Sequence, residues 1–227
     1  MGTLSLNKVN RLFWLGRYLD RVCITLNYAQ EIFDASVDGC APANYADYCA
    51  RMGIPNRYIS AQDFCTRYLF DVSDPNSVIC SLRFAYDNAI VLRETLGSSA
   101  LAYIQMAMNA MDMAAASEAP MMELQWVRDD IMAFRGCCYE EMMDDDGRNI
   151  IKTGTSLERV DLLIRMGEPQ QQIHREFLKL FNRLYKTPLT PDRAALDVLI
   201  DAVLDDNAPT PPTSQLLAPL ESLFPGI

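Results

Sequence analysis

Phe13-Trp14-Leu15-Gly16-Arg17-Tyr18-Leu19-Asp20-Arg21-Val22 lies inside a long stretch whose apolar residues recur at three- and four-residue steps. Val9, Leu12, Phe13, Leu15, Leu19, Val22, Ile24, Leu26, Ala29 and Ile32 form that series. The spacing predicts one long amphipathic helix from about Leu6 to Phe33, closed by Gly39 and Pro42. The pattern returns at Ile151-Lys152-Thr153-Gly154-Thr155-Ser156-Leu157-Glu158-Arg159-Val160, where Gly, Leu, an acid, Arg and Val fall in the same register. An acid–base pair is thus carried at the same station of two helices. A helix that is merely core or surface has no reason to repeat that pair beside an apolar run. The repeat therefore marks where function is to be sought.

Outward from these two stretches the chain reads as further helices. One covers Asn44 to Met52, and Ser60 with Asp63 has the form of a helix start, the side-chain oxygen taking a free backbone N–H. Asp74-Pro75 is expected to open a helix with Pro75 at its first position, running to Leu96 and stopped by Gly97. Ser98 or Ser99 begins another to about Ala116, and Pro120 one from about Met121 to Met143. Helices follow from Gly147 to Met166, from Pro169-Gln170 to Tyr185, and from a Thr190-Pro191 cap to Leu204. No stretch alternates as a strand does. The expected fold is all-α: a single-domain helical bundle with two pseudo-repeated motif helices over 1–206. Residues 207–227, beginning with the Pro-rich Ala208-Pro209-Thr210-Pro211-Pro212, read as a flexible or extended tail.

Composition narrows the classes of function. Half of the 227 residues are hydrophobic, enough for a sizeable core, and the net charge is −10. Such an acidic chain is not expected to bind nucleic acid or an anionic membrane surface through charge. No run approaches the roughly 18 apolar residues of a membrane span. The seven Cys are an odd number with no C-x-x-C spacing, so they read as reduced, small hydrophobes in a cytoplasmic protein.

Candidate functional residues are the charged groups of the repeat. Arg17, Asp20 and Arg21 lie within one helical turn beside Trp14, Leu19 and Val22, and Glu158-Arg159 is the second pair. Flanked by apolar residues, such charges form either a structural network or a site, since a buried charge is costly unless paired. Arg83 and Asp87 stand four apart on another helix, where an intrahelical ion pair explains them as well as function does. No metal is expected: Asp144-Asp145-Asp146 lacks the calcium-loop pattern and suits a helix N-terminus. The single His174 cannot supply two Glu-x-x-His units. Nucleotide and dinucleotide loops and the G-x-S-x-G elbow are all missing from the sequence.

The first copy, Trp14-Leu15-Gly16-Arg17-Tyr18-Leu19-Asp20-Arg21-Val22, resembles the Gly-Arg-Tyr-Leu-Glu-Arg-Ala-like motif of the bacterial alpha-E family, whose members carry it at both ends. The central Asp74-Pro75-Asn76-Ser77-Val78, Ser81-Leu82-Arg83, Asn88-Ala89 and Arg93-Glu94 resemble the family's central helix, and Gly136, Asp145 and Gly147 fit the approach to the second motif. The likeness spans about residues 4 to 166. The chain departs from the pattern at Asp20, where the family has Glu, at Cys23, at Thr155-Ser156 in place of Arg-Tyr, and at Asp87 and Ile90. It is also shorter than a typical member.

The resemblance implies a working context, because family members are encoded beside or fused to ATP-grasp amide ligases. By that implication the chain is a helical accessory subunit of such a ligase, helping to bind an acceptor or peptide substrate in ATP-dependent peptide modification. ATP and Mg would belong to the partner ligase, and this chain would hold no cofactor of its own. Arg17, Arg21, Arg83 and Arg159 would hold carboxylates, with Asp20, Asp87 and Glu158 orienting them or receiving an amine. The motif helices are expected to pack by a pseudo-twofold relation that brings both acid–base pairs near one cleft. Two other readings stay open: a stand-alone amide hydrolase or transferase with Glu158 as catalytic general base, and a purely structural interaction module.

Overall fold

A computed structural model describes residues 5–38, 44–204 and 213–227. Among them there are eleven α-helices and no strand, so the all-α expectation holds. The chain divides into two compact units, one of Met1–Arg17 with Asp145–Ile227 and the other Tyr18–Asp144. The division falls inside the first helix, α1 (Leu6–Asp38). Consequently the first motif is shared out, with Gly16 and Arg17 in one unit and Asp20 and Arg21 in the other.

The Tyr18–Asp144 unit holds the remainder of α1 with α2 (Tyr45–Met52), α3 (Ala61–Phe70), α4 (Val78–Val91), α5 (Arg93–Leu96), α6 (Ser98–Ala116) and α7 (Pro120–Glu140). Its caps follow the local sequence. Asn44 Oδ1 accepts from the Asp47 N–H and Ser60 Oγ from the Asp63 N–H, satisfying donors that a first turn leaves open. The expected start at Pro75 is displaced to Val78. Asp71 and Asp74 each accept from the backbone N–H two residues on, Ser73 and Asn76. These side-chain turns hold Pro75 outside the helix, and Ser77 Oγ then caps it at the Cys80 N–H. α6 and α7 pack along each other, and α4 lies on α6. Tyr48, Phe64 and Tyr68 form an aromatic core in which the two tyrosine hydroxyls are 2.9 Å apart. Burial pushes the Cys49 and Cys65 thiols up to about 11, so they stay protonated packing groups at neutral pH.

The other unit combines the start of α1 with α8 (Asp145–Met166), α9 (Gln170–Leu184), α10 (Arg193–Leu204) and α11 (Thr213–Glu221). α8 packs on α9 and α11, and α10 on both α9 and α11. The cap of α10 is not Thr190-Pro191: Asp192 Oδ1 accepts from the Ala195 N–H, and its own N–H reaches the Leu223 carbonyl. The tail reading is corrected for 213–227. Thr213–Glu221 is helical, and Leu216, Leu220, Leu223 and Phe224 are buried, with the Phe224 ring edge-on to Phe13 at 5.5 Å. Those apolar side chains give the segment a core-facing stripe despite Pro219. The expected breakers Gly39 and Pro42, and the Pro-rich 208–212, lie outside the described residues.

Candidate functional site

The glycines of the repeat come first, because they set the distance between helices. A Cβ placed on Gly16 would lie 2.1 Å from the Ile151 carbonyl oxygen, and one on Gly154 would lie 2.2 Å from that of Phe13. Ile151 precedes Gly154 by three, as Phe13 precedes Gly16 by three. The contact is reciprocal, so at this crossing α1 and α8 obey the pseudo-twofold relation expected of the motif helices. Glycine is required here for close backbone approach, not for a special dihedral angle. Thr155 Oγ1, standing where the first copy has Arg17, donates to the Gly16 carbonyl at 3.4 Å.

Such an approach forces the side chains one turn on into the same space. Arg17 Nε donates to Glu158 Oε2 at 2.6 Å, and Arg17 Nη2 to Asp161 Oδ2 at 3.1 Å. Asp161 Oδ1 also accepts from Arg165 Nε at 2.7 Å, and Arg165 Nη2 reaches Glu221 Oε1 on α11 at 2.6 Å. Glu158 is completely buried, and the Arg17 guanidinium stacks 4.9 Å from the Trp14 ring centroid. The result is an alternating acid–base chain that runs from the core to the surface. Three carboxylates share two guanidiniums within it. Burial, then the neighbouring Glu158 charge, raises the Asp161 pKa, against the pull of Arg165 and Arg17.

In the Tyr18–Asp144 unit the acid of the first motif is held by another means. Asp20 is also fully buried, and Arg135 Nη2 from α7 donates to its Oδ1 at 2.7 Å. Nothing in the spacing of the sequence pointed to Arg135, which is more than a hundred residues away. Asp161 and Arg165 were more accessible to sequence reasoning: with Glu158 they stand at i, i+3 and i+7 on one face of α8. Glu221 was hidden within the segment read as a tail.

Several expected roles change with this geometry. Glu158 is not a base in a cleft; it is an interior member of an ion cluster, with Arg17 on it. Arg17 is likewise turned to buried carboxylates and the fully buried Asp20 to the half-buried Arg135, so they do not meet a substrate in this form. Arg21 is half-buried with its guanidinium 5.9 Å from the Tyr18 ring. Arg83 and Asp87 are both exposed, and the intrahelical ion pair that would have explained them is not formed. Arg159 is half-buried and lines a cleft of about 390 Å³ between α8 and α9. Among the described residues no group of three or more His, Cys, Asp or Glu side chains is placed to hold a metal ion, and no helix is long and apolar enough to cross a membrane.

The fold and this geometry define a class: an all-helical protein whose repeated glycine-and-acid motif joins two helices backbone to backbone and buries an arginine-held acid. The chain belongs to the Alpha-E family, whose model, described as a predicted alpha-helical domain with a conserved ER motif, matches residues 7–202. Glu158-Arg159 is the single Glu-Arg dipeptide of this sequence. Comparison with curated proteins and with solved structures gives no match.

Proposed function

We propose that this chain is a bacterial, cytoplasmic accessory subunit of an ATP-grasp amide ligase that helps bind the acceptor or peptide substrate in ATP-dependent peptide modification. The ligase partner is an inference from the family resemblance. The observation that carries the accessory role is the burial of Glu158 under Arg17. The charged motif is spent on architecture, and a fully buried, guanidinium-bound carboxylate has no path to a substrate proton. What the chain then contributes is surface. ATP and Mg belong to the ligase in this reading.

Arg83 and Asp87, exposed on α4, and the half-buried Arg21 are the groups best suited to meet a partner or a substrate carboxylate, since guanidinium pairs with carboxylate in a bidentate way. The test is ADP release by an ATP-grasp ligase encoded with this chain, supplied with candidate peptide and amino acid. Turnover that requires both proteins, and that falls on Arg83→Glu without loss of helicity, supports the subunit role. A ligase that turns over equally well alone removes it.

A further inference from the structure

The cleft between α8 and α9 collects cations in a chain whose net charge is −10. Lys152 and Arg159 line it from α8, and Lys179, Arg183 and Lys186 from α9 and the residues just after it, with Glu176 the one acid among its lining residues. One quarter of the chain's 20 Lys and Arg therefore surround a space of about 390 Å³. An ordinary solvated helix face interleaves acids at three- and four-residue spacing, and here the single acid is already occupied. Glu176 Oε1 accepts from Lys179 Nζ at 2.8 Å and lies 3.4 Å from Arg175 Nε. Arg183 and Lys186 take part in no ion pair among the described residues, and the buried Arg183 Nε has no hydrogen-bond partner.

Thr155 and Ser156 contribute to the floor of this cleft, at the positions where the first copy of the repeat carries Arg17 and Tyr18. Their short side chains leave room that the bulkier pair would fill, and Ser156 adds a hydroxyl. Asn182 completes the lining, in which no residue is apolar or aromatic. Charge, rather than an aromatic or aliphatic side chain, is what such a wall offers a ligand. It suits a compact ligand of high charge density, with several acceptor oxygens that take donors from two facing helices at once. Phosphate groups meet that description, Arg binding them in bidentate fashion and Lys as a point charge.

We propose that the α8–α9 cleft is a binding site for a small molecule bearing two or more phosphate groups. The proposal stands apart from the ligase reading and survives its failure. The experiment is isothermal titration of the full chain with pyrophosphate, and with tri-glutamate as a carboxylate of similar charge, at constant ionic strength. Pyrophosphate is expected to bind at least about tenfold more tightly than tri-glutamate. Arg183→Gln and Lys186→Gln should each weaken it by about five- to tenfold with the helical circular dichroism unchanged, and Arg57→Gln, a change in the Tyr18–Asp144 unit, should leave it alone. Lys186 is exposed beyond the end of α9, so its variant decides the matter should Arg183→Gln fail to fold. The proposal is overturned by no heat of binding up to about 5 mM pyrophosphate, by equal binding of tri-glutamate, or by affinities that Arg57→Gln lowers as much as Lys186→Gln does.

Discussion

Asp20 and Glu158 are the same motif position in two copies, both fully buried, yet the two units hold them differently. Glu158 sits at the inner end of a chain of alternating charges, Glu158–Arg17–Asp161–Arg165–Glu221, in which the side chain of Arg17 is only 11% exposed. Asp20 is met by Arg135, whose side chain is 25% exposed. The difference teaches how one motif gives two degrees of commitment. In the first case removing a member strands other charges in the interior, where desolvation is expensive. In the second, the arginine can turn to water and leave one charge to relax. Repetition of sequence therefore does not imply repetition of energetic role.

The largest effect should come from breaking what lies beneath the first cluster. Gly16→Ala or Gly154→Ala drives a methyl group into a backbone oxygen, which cannot rotate aside, and should cost about 3 kcal/mol or more, at or beyond the upper end of ordinary overpacking. Urea unfolding followed by circular dichroism measures it, and a cost below about 1 kcal/mol would show that the crossing can open freely. Next in size is Arg17→Met, which leaves Glu158 and Asp161 buried without that cation and should cost about 3–5 kcal/mol. The matching change in the other unit, Arg135→Met, should cost less, about 1–3 kcal/mol, because one carboxylate rather than two loses its arginine. Equal costs for the two would erase the contrast.

A gentler change sharpens it. The Asp161 carboxyl holds its proton more tightly folded than unfolded, its pKa being raised above the ordinary 3.8. The folded state then binds the extra proton, and the contribution of Asp161 to stability is greatest below 3.8 and declines as pH rises through the window above it. The stability of the parent chain relative to Asp161→Asn should accordingly fall as pH rises there, in urea titrations run side by side. A gap that widens with pH would mean that the two arginines outweigh burial. Smallest of all, Arg83→Gln and Asp87→Asn should each change stability by no more than about 0.5 kcal/mol, as exposed groups with no ion pair between them, while the proposed subunit role expects Arg83→Glu to lower ligase stimulation.

Much of the fold was legible before any coordinates. The three- and four-residue spacing of Leu12, Leu15, Leu19 and Val22 requires a helix of that face, and Ser60 with Asp63 names its own cap. Boundaries failed where a competing local hydrogen bond intervened: Asp74 captures the Asn76 N–H and delays α4, and Asp192 caps α10 in place of Thr190. Met143 was expected inside α7, which ends at Glu140. The last helix was missed because the Pro-rich stretch before it hid the buried Leu216, Leu220 and Phe224.

The site was legible only in part, and the division has a physical reason. The sequence by itself determined that the chain is helical, that Gly16 and Gly154 share a register with Asp20 and Glu158, and that it belongs with the alpha-E pattern. These follow from periodicity and local chemistry, which act over a few residues. Tertiary structure alone decided that the glycines are a point of backbone contact, that Glu158 answers to Arg17 and Asp20 to Arg135, and that short side chains at Thr155 and Ser156 help floor a cationic cleft. Those outcomes depend on which helix faces which, and a charge has no partner until packing removes the water around it.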